Sequence, residues 1–164
     1  MRVALVPGVL ALLPEYAGLT DPVADLRAAC LGAVSWLGGD VTVLADAQGC
    51  RVAESLLAAA LGSSDDRAAT AGASYLVVAN GSACRSEKAP GHLDDRAAGF
   101  DRDLETFLRG AGPLPPAPLA RELLASTTAL ADLPAGLDLS EPAIDYADDP
   151  FGVQYWVMRW PCAS

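Results

Sequence analysis

A formal net charge of −10 over 164 residues, from 21 acidic and 11 basic side chains, argues against nucleic-acid binding, which draws its affinity from Lys and Arg neutralising phosphates. The same balance disfavours docking on an anionic membrane surface. With 52% apolar and 20% charged residues and no internal repeat, the chain is expected to form one globular domain over residues 1–164, large enough to bury a core without disulfide staples.

In chain order, Arg2-Val-Ala-Leu-Val6 is a short apolar run closed by Pro7-Gly8 and predicts a central strand. The run to Leu13 imitates a secretory leader, but Pro7-Gly8 interrupts it and Pro14-Glu15 ends it, so a buried first strand is the preferred reading. After a loop to Gly18, Thr20 as N-cap with Asp21 and Pro22 predicts a helix to about Leu37, its stripe carried by Val23, Leu26, Cys30, Val34 and Leu37. Gly38-Gly39 stops it. Residues 40–45 read as a second strand, 51–61 as a helix, 62–65 as a turn, and the chain near Ala68 as a short helical turn. Ser74 to Ala79 is the third strand. From Leu93, apolar side chains at Leu93, Ala97, Phe100, Leu104 and Phe107 or Leu108 trace one helical face. A proline-rich connector leads to a helix over 117–131. A C-terminal strand pair, 143–146 and 153–160, is joined by a turn at 148–152. Strands alternating with helices predict a single-domain α/β layered fold, with a mostly parallel or mixed central sheet flanked by helices.

Four cysteines, Cys30, Cys50, Cys84 and Cys162, are widely spaced and form no zinc pattern. No apolar run approaches the ~20 residues of a membrane-spanning helix, and the acidity reads as the solubility of a bacterial-type cytosolic protein, so a cytoplasmic location is expected. One lysine against ten arginines points to a GC-rich, bacterial coding sequence. Neither a glycine-rich phosphate loop nor a nucleophile elbow occurs. The chemistry gathers in Asn80 to Asp103, which follows the third strand and holds the sole lysine, Lys88, and the sole histidine, His92. The carboxyl end of a strand is where open α/β sheets place ligands, and Asn80, Ser82, Arg85 and Lys88 are suited to a polar or anionic group. The opposing reading has Arg85 and Lys88 paired with Glu87, Asp94 and Asp95, with both aspartates in the first turn of the next helix. His92 is a candidate base or ligand, set against a plain surface or capping role. Cys84, His92 and Asp94 are too irregularly spaced for a metal set.

Three segments resemble the class III extradiol ring-cleavage dioxygenases of the B-type family, especially short actinobacterial-type members. Pro7-Gly-Val-Leu-Ala-Leu-Leu-Pro14-Glu15 is similar to an opening P-H-P-P-L-L-x-P-E, and residues 81–98 with Phe100-Asp101 to G-S-A-R-R-x-x-K-A-P-G-Y-L-D-E-R-A…F-D. Tyr146 to Tyr155 is similar to a closing Y-D-x-x-P-F-G-V-x-Y. The resemblance implies one α/β domain of the B-type extradiol dioxygenase kind, shortened between Asp46 and Ala73. Extradiol cleavage uses Fe(II) held by two histidines and a carboxylate. Gly8 stands where the first histidine is expected, no histidine follows the second strand, and His92 replaces a tyrosine.

The expectation is therefore a degenerate, non-catalytic relative that binds a small molecule or a protein partner, with no metal or other cofactor. Glu15, Asn80, Ser82, Arg85, Lys88, His92 and Asp94 are its candidate binding residues. The alternative is a metal-dependent ring-cleavage dioxygenase, or a related enzyme, with substitute ligands. Fe(II) would then be its cofactor, and Glu15, Cys84, His92 and Asp94 the residues to suspect. A purely structural role within a larger assembly is a third reading, favoured if Tyr155 to Trp160 form an exposed apolar patch.

Overall fold

The computed structural model describes residues 1–16, 18, 20–38, 40–62 and 73–162. Five strands, β1 (Arg2–Val6), β2 (Val41–Leu44), β3 (Ser74–Val78), β4 (Ala143–Asp148) and β5 (Tyr155–Trp160), form one sheet in the order β2-β3-β1-β5-β4. The first three are parallel, β5 runs antiparallel to β1, and β4 runs antiparallel to β5 at the edge. The sheet is mixed, with the expected C-terminal strand pair.

Side-chain alternation along each strand divides the core in two. Ala4 and Val6 of β1, with Leu76, Val78 and Val157, face α1 (Ala24–Leu37) and α2 (Ala47–Gly62). Val3 and Leu5, with Val77, Trp156, Met158 and Trp160, face α3 (Ala97–Leu108), α4 (Ala117–Glu122) and α5 (Thr128–Ala131). A central strand buried on both faces must be apolar throughout, as Val3 to Val6 are. Tyr155 to Trp160 belong to this core, and of these six only Arg159 is not buried. They therefore form no exposed patch, and the support they were to lend a purely structural role is missing.

Helix boundaries differ from the sequence expectation for identifiable reasons. The first helix begins at Ala24 and not at Asp21 behind a Thr20 cap, because Asp21 makes the turn: its Oδ1 accepts the Val23 N–H at 3.0 Å and its Oδ2 holds Arg27 Nε at 2.7 Å. Helix α2 starts earlier than expected, at Ala47, where Asp46 Oδ1 accepts the Gly49 N–H at 2.7 Å and satisfies a first-turn donor. The stripe from Leu93 becomes helical only at Ala97. Leu93 is exposed and His92 takes φ 57, so Asp94 and Asp95 precede the helix and do not fill its first turn.

The helix expected over 117–131 breaks in two. After Glu122 the chain closes as a Schellman motif, with Leu124 N–H on Arg121 O at 3.2 Å and Ala125 N–H on Ala120 O at 2.8 Å. Leu124 occupies the left-handed position at φ 54. The break carries Ser126 to the end of β3, where its carbonyl accepts the Asn80 N–H at 2.9 Å. The helical turn expected near Ala68, and most of the turn at 62–65, lie outside the described residues.

Candidate functional site

The three parallel strands end on one edge of the sheet, and the segments leaving them are joined by side-chain hydrogen bonds. Asn80 Oδ1 accepts the Gly8 N–H at 2.9 Å, and Gln48 Nε2 donates to the Gly8 carbonyl at 2.8 Å. Ser126 Oγ donates to Asp46 Oδ2 at 3.0 Å. Both Asp46 carboxylate oxygens are thus engaged, one by Ser126 and the other by the start of α2.

Beneath this network the edge is closely packed. A Cβ on Gly8 would lie 3.1 Å from Val78 Cγ1, and one on Gly49 would lie 3.0 Å from the same methyl. The N-terminus of α2 therefore rests directly on the β1 and β3 ends. Of this group only Asn80 is among the sequence candidates. Asp46 carried a readable signal, since an aspartate three residues before a helical amide is a capping pattern. Gln48 and Ser126 carried none.

Ser82 and Asp101 form a buried polar pair behind the same edge. Ser82 is fully buried and Asp101 is 3% exposed. The Ser82 N–H reaches Asp101 Oδ1 at 2.7 Å and its hydroxyl donates to Oδ2 at 2.6 Å. Arg85 closes the group, with Nη1 3.7 Å from Asp101 and Nε donating to Asp149 at 3.0 Å. Burial raises the Asp101 pKa above the usual carboxylate range, against the Ser82 hydrogen bonds and the Arg85 charge, which lower it. Arg85 therefore pairs with Asp149 and Asp101, and not with Glu87, Asp94 or Asp95 as the opposing reading held.

The strand-end segment and the last turn are laced together by main-chain bonds. Gly81 N–H binds Gln154 O at 2.9 Å, Gln154 N–H binds Ser82 O at 3.0 Å, and Arg85 N–H binds Gly152 O at 3.0 Å. Gly91 N–H returns to Ala83 O at 2.9 Å, and a Cβ there would collide with Cys84 Sγ. Two of the segments that carry the family resemblance, 81–98 and 146–155, thus meet as one packed unit.

The remaining candidates form no common site, although the Asp94 N–H binds the Cys84 carbonyl at 3.1 Å. Glu15 sits on the 3-10 turn Pro14–Tyr16 and pairs with Arg51 at 2.7 Å, both side chains more than half exposed. His92 is exposed, its Nδ1 3.3 Å from the Glu87 carbonyl. Asp94 is held by Arg96 at 2.8 Å, which also grips Glu122 at 2.6 Å. The Arg96 hydrogen bonds hold the Asp94 carboxyl down at about 2. Lys88 is exposed, and among the described residues it makes no hydrogen bond or ion pair. The Cys84 thiol donates to Leu123 O at 3.5 Å and is pushed up by burial, which opposes thiolate chemistry.

An iron centre of two histidines and a carboxylate does not fit these residues. The chain has a single histidine, and its ring lies against the Glu87 carbonyl. The Gly8 Cβ direction meets Val78, and the nearby Asp46 carboxylate is already bonded through both oxygens. Among the described residues no three His, Cys, Asp or Glu side chains are grouped to hold a metal ion. No family model, curated protein or solved structure matches the chain.

Proposed function

We propose that the chain is a degenerate, non-catalytic protein of the class III extradiol dioxygenase type, retained as a scaffold that binds a small molecule or a protein partner. The observation that carries the reading is the packing at Gly8. Where the resemblance calls for an iron-binding histidine, there is no side chain, and the space a Cβ would take is bounded by Val78 and Gly49. The peptide of Gly8 is clamped on both sides by Asn80 and Gln48, so the strand end is braced and not left open for a metal and two substrates. The segments most similar to the family act on each other, through Ser82, Asp101, Arg85 and the 152–154 main chain. A cytoplasmic location belongs to the same proposal. It is supported by four unpaired cysteines, which suit a reducing compartment.

The test is oxygen uptake by purified protein with added Fe(II) across a panel of catechols. No uptake above the free-iron background is expected. Saturable, protein-dependent uptake would establish the alternative, a ring-cleavage enzyme with substitute ligands.

A further inference from the structure

Where residues 85–88 pass the turn at 149–152, a surface cleft of about 510 Å3 opens, lined in part by Arg85, Ser86, Lys88, Asp149 and Phe151. The Lys88 ammonium has no partner among the described residues, and the Ser86 hydroxyl makes no side-chain hydrogen bond there. Arg85 uses Nε on Asp149 and turns Nη1 towards Asp101, which leaves its Nη2 edge without a protein acceptor. Asp101 is itself bonded through both oxygens to Ser82, so Asp149 is the only carboxylate among the cleft's lining residues. Arg85 is shared between Asp149 and the buried Asp101, so Lys88 adds a cation with no carboxylate of its own, in a chain of net charge −10. Phe151 is 41% exposed, one of five large apolar side chains so placed among the described residues.

We propose that this cleft binds a small monocarboxylate carrying an apolar body. This rests on the reading of the chain as a binding protein and locates its ligand. A carboxylate accepts charge-assisted hydrogen bonds from Lys88 and the free edge of Arg85, with Ser86 as a further donor. The apolar body lies against the Phe151 ring, a wide apolar surface with the geometry for stacking. Asp149 sets the selectivity: facing it, a phosphate dianion meets more like-charge repulsion than a carboxylate does.

The experiment is a 1H–15N NMR titration of the whole chain with benzoate, hexanoate and inorganic phosphate, using wild type, Lys88→Gln and Phe151→Ala. Both side chains are exposed, so the variants keep the fold. Expected are saturable shifts with the two carboxylates at Arg85 to Lys88 and Phe151 to Gly152, weakened about fivefold by Lys88→Gln and about fivefold by Phe151→Ala. Phosphate is expected to give none. Absence of saturable shifts, binding unchanged in both variants, or phosphate binding as tight as benzoate overturns the cleft. Shifts centred on Gly8 and Asn80 also overturn it while leaving the binding reading in place, and the oxygen-uptake assay judges the non-catalytic reading separately.

Discussion

Gly8 and Ser82 show how single residues at the sheet edge are constrained. Gly8→His, which supplies the side chain the resemblance calls for, has to displace Val78 Cγ1. Val78 is buried and β-branched, and the Gly49 Cα of α2 lies 3.7 Å from the same Cβ position, so there is little room to yield. The substitution is expected to cost about 1–3 kcal/mol in chemical denaturation and to confer no metal affinity. Ser82→Ala leaves Asp101 Oδ2 without its hydroxyl donor, at a cost of about 2 kcal/mol for a buried, charged acceptor. The pH dependence has a definite sign. The folded-state pKa of Asp101 lies above its ordinary 3.8, so its stabilising contribution is complete below 3.8 and is lost as pH rises through the raised value. Removing the hydroxyl raises that value further. The deficit of Ser82→Ala should therefore grow from acid towards neutral pH, as read from urea midpoints, and a deficit that shrinks in that direction would contradict the assignment.

At the scale of elements, two helix ends offer a matched comparison. Helix α3 closes through Gly110 at φ 71 and α4 through Leu124 at φ 54, both with Schellman hydrogen bonds. Only glycine adopts that conformation without Cβ strain, which costs other residues about 1–2 kcal/mol. Leu124 is 55% exposed and has little burial to lose. Leu124→Gly is accordingly expected to raise stability by up to ~1 kcal/mol, measured by thermal melting. A loss would mean that the Leu124 contact over residue 91 outweighs the strain.

These helix ends also separate what is legible in the chain from what is not. Gly38 and Gly110 mark their helix ends in the sequence, and alternating apolar strands reveal the layer order, so the mixed sheet with its closing strand pair is foreseeable. The α4 end is hidden, because a leucine stands where a glycine normally signals the stop. With it goes Ser126, whose partner Asp46 lies 80 residues away. The strand-end segment stands out by its charge, but its contacts with Gln154 and Asp101 exist only once the chain is folded. Its charged residues therefore read as a single site, whereas Arg85 reaches Asp149 in the last turn and Arg96 reaches Glu122 of α4.

For the whole molecule, an excess of acidic side chains coexists with carboxylates shifted in opposite senses. Asp21, Asp94 and Asp138 are held below the ordinary range, Asp21 and Asp94 first by arginine hydrogen bonds and Asp138 by Ser140, while Asp101 is raised by burial. The stabilisation from Asp94 is present above 3.8 and is lost as pH falls through about 2. Asp94→Asn should therefore flatten the acid limb of the stability curve in that window, measured by circular dichroism. An unchanged limb would mean that the Arg96 pair is too solvated to matter.

On the proposed non-catalytic reading, the packed strand ends around Gly8 should hold no iron, whatever ligand the chain binds. The iron and zinc content of the protein purified without chelator, repeated after incubation with Fe(II) and desalting, reads this without the need for a substrate. Far less than one metal ion per chain is expected in both samples. One iron or zinc per chain, retained through desalting, would contradict the closed edge.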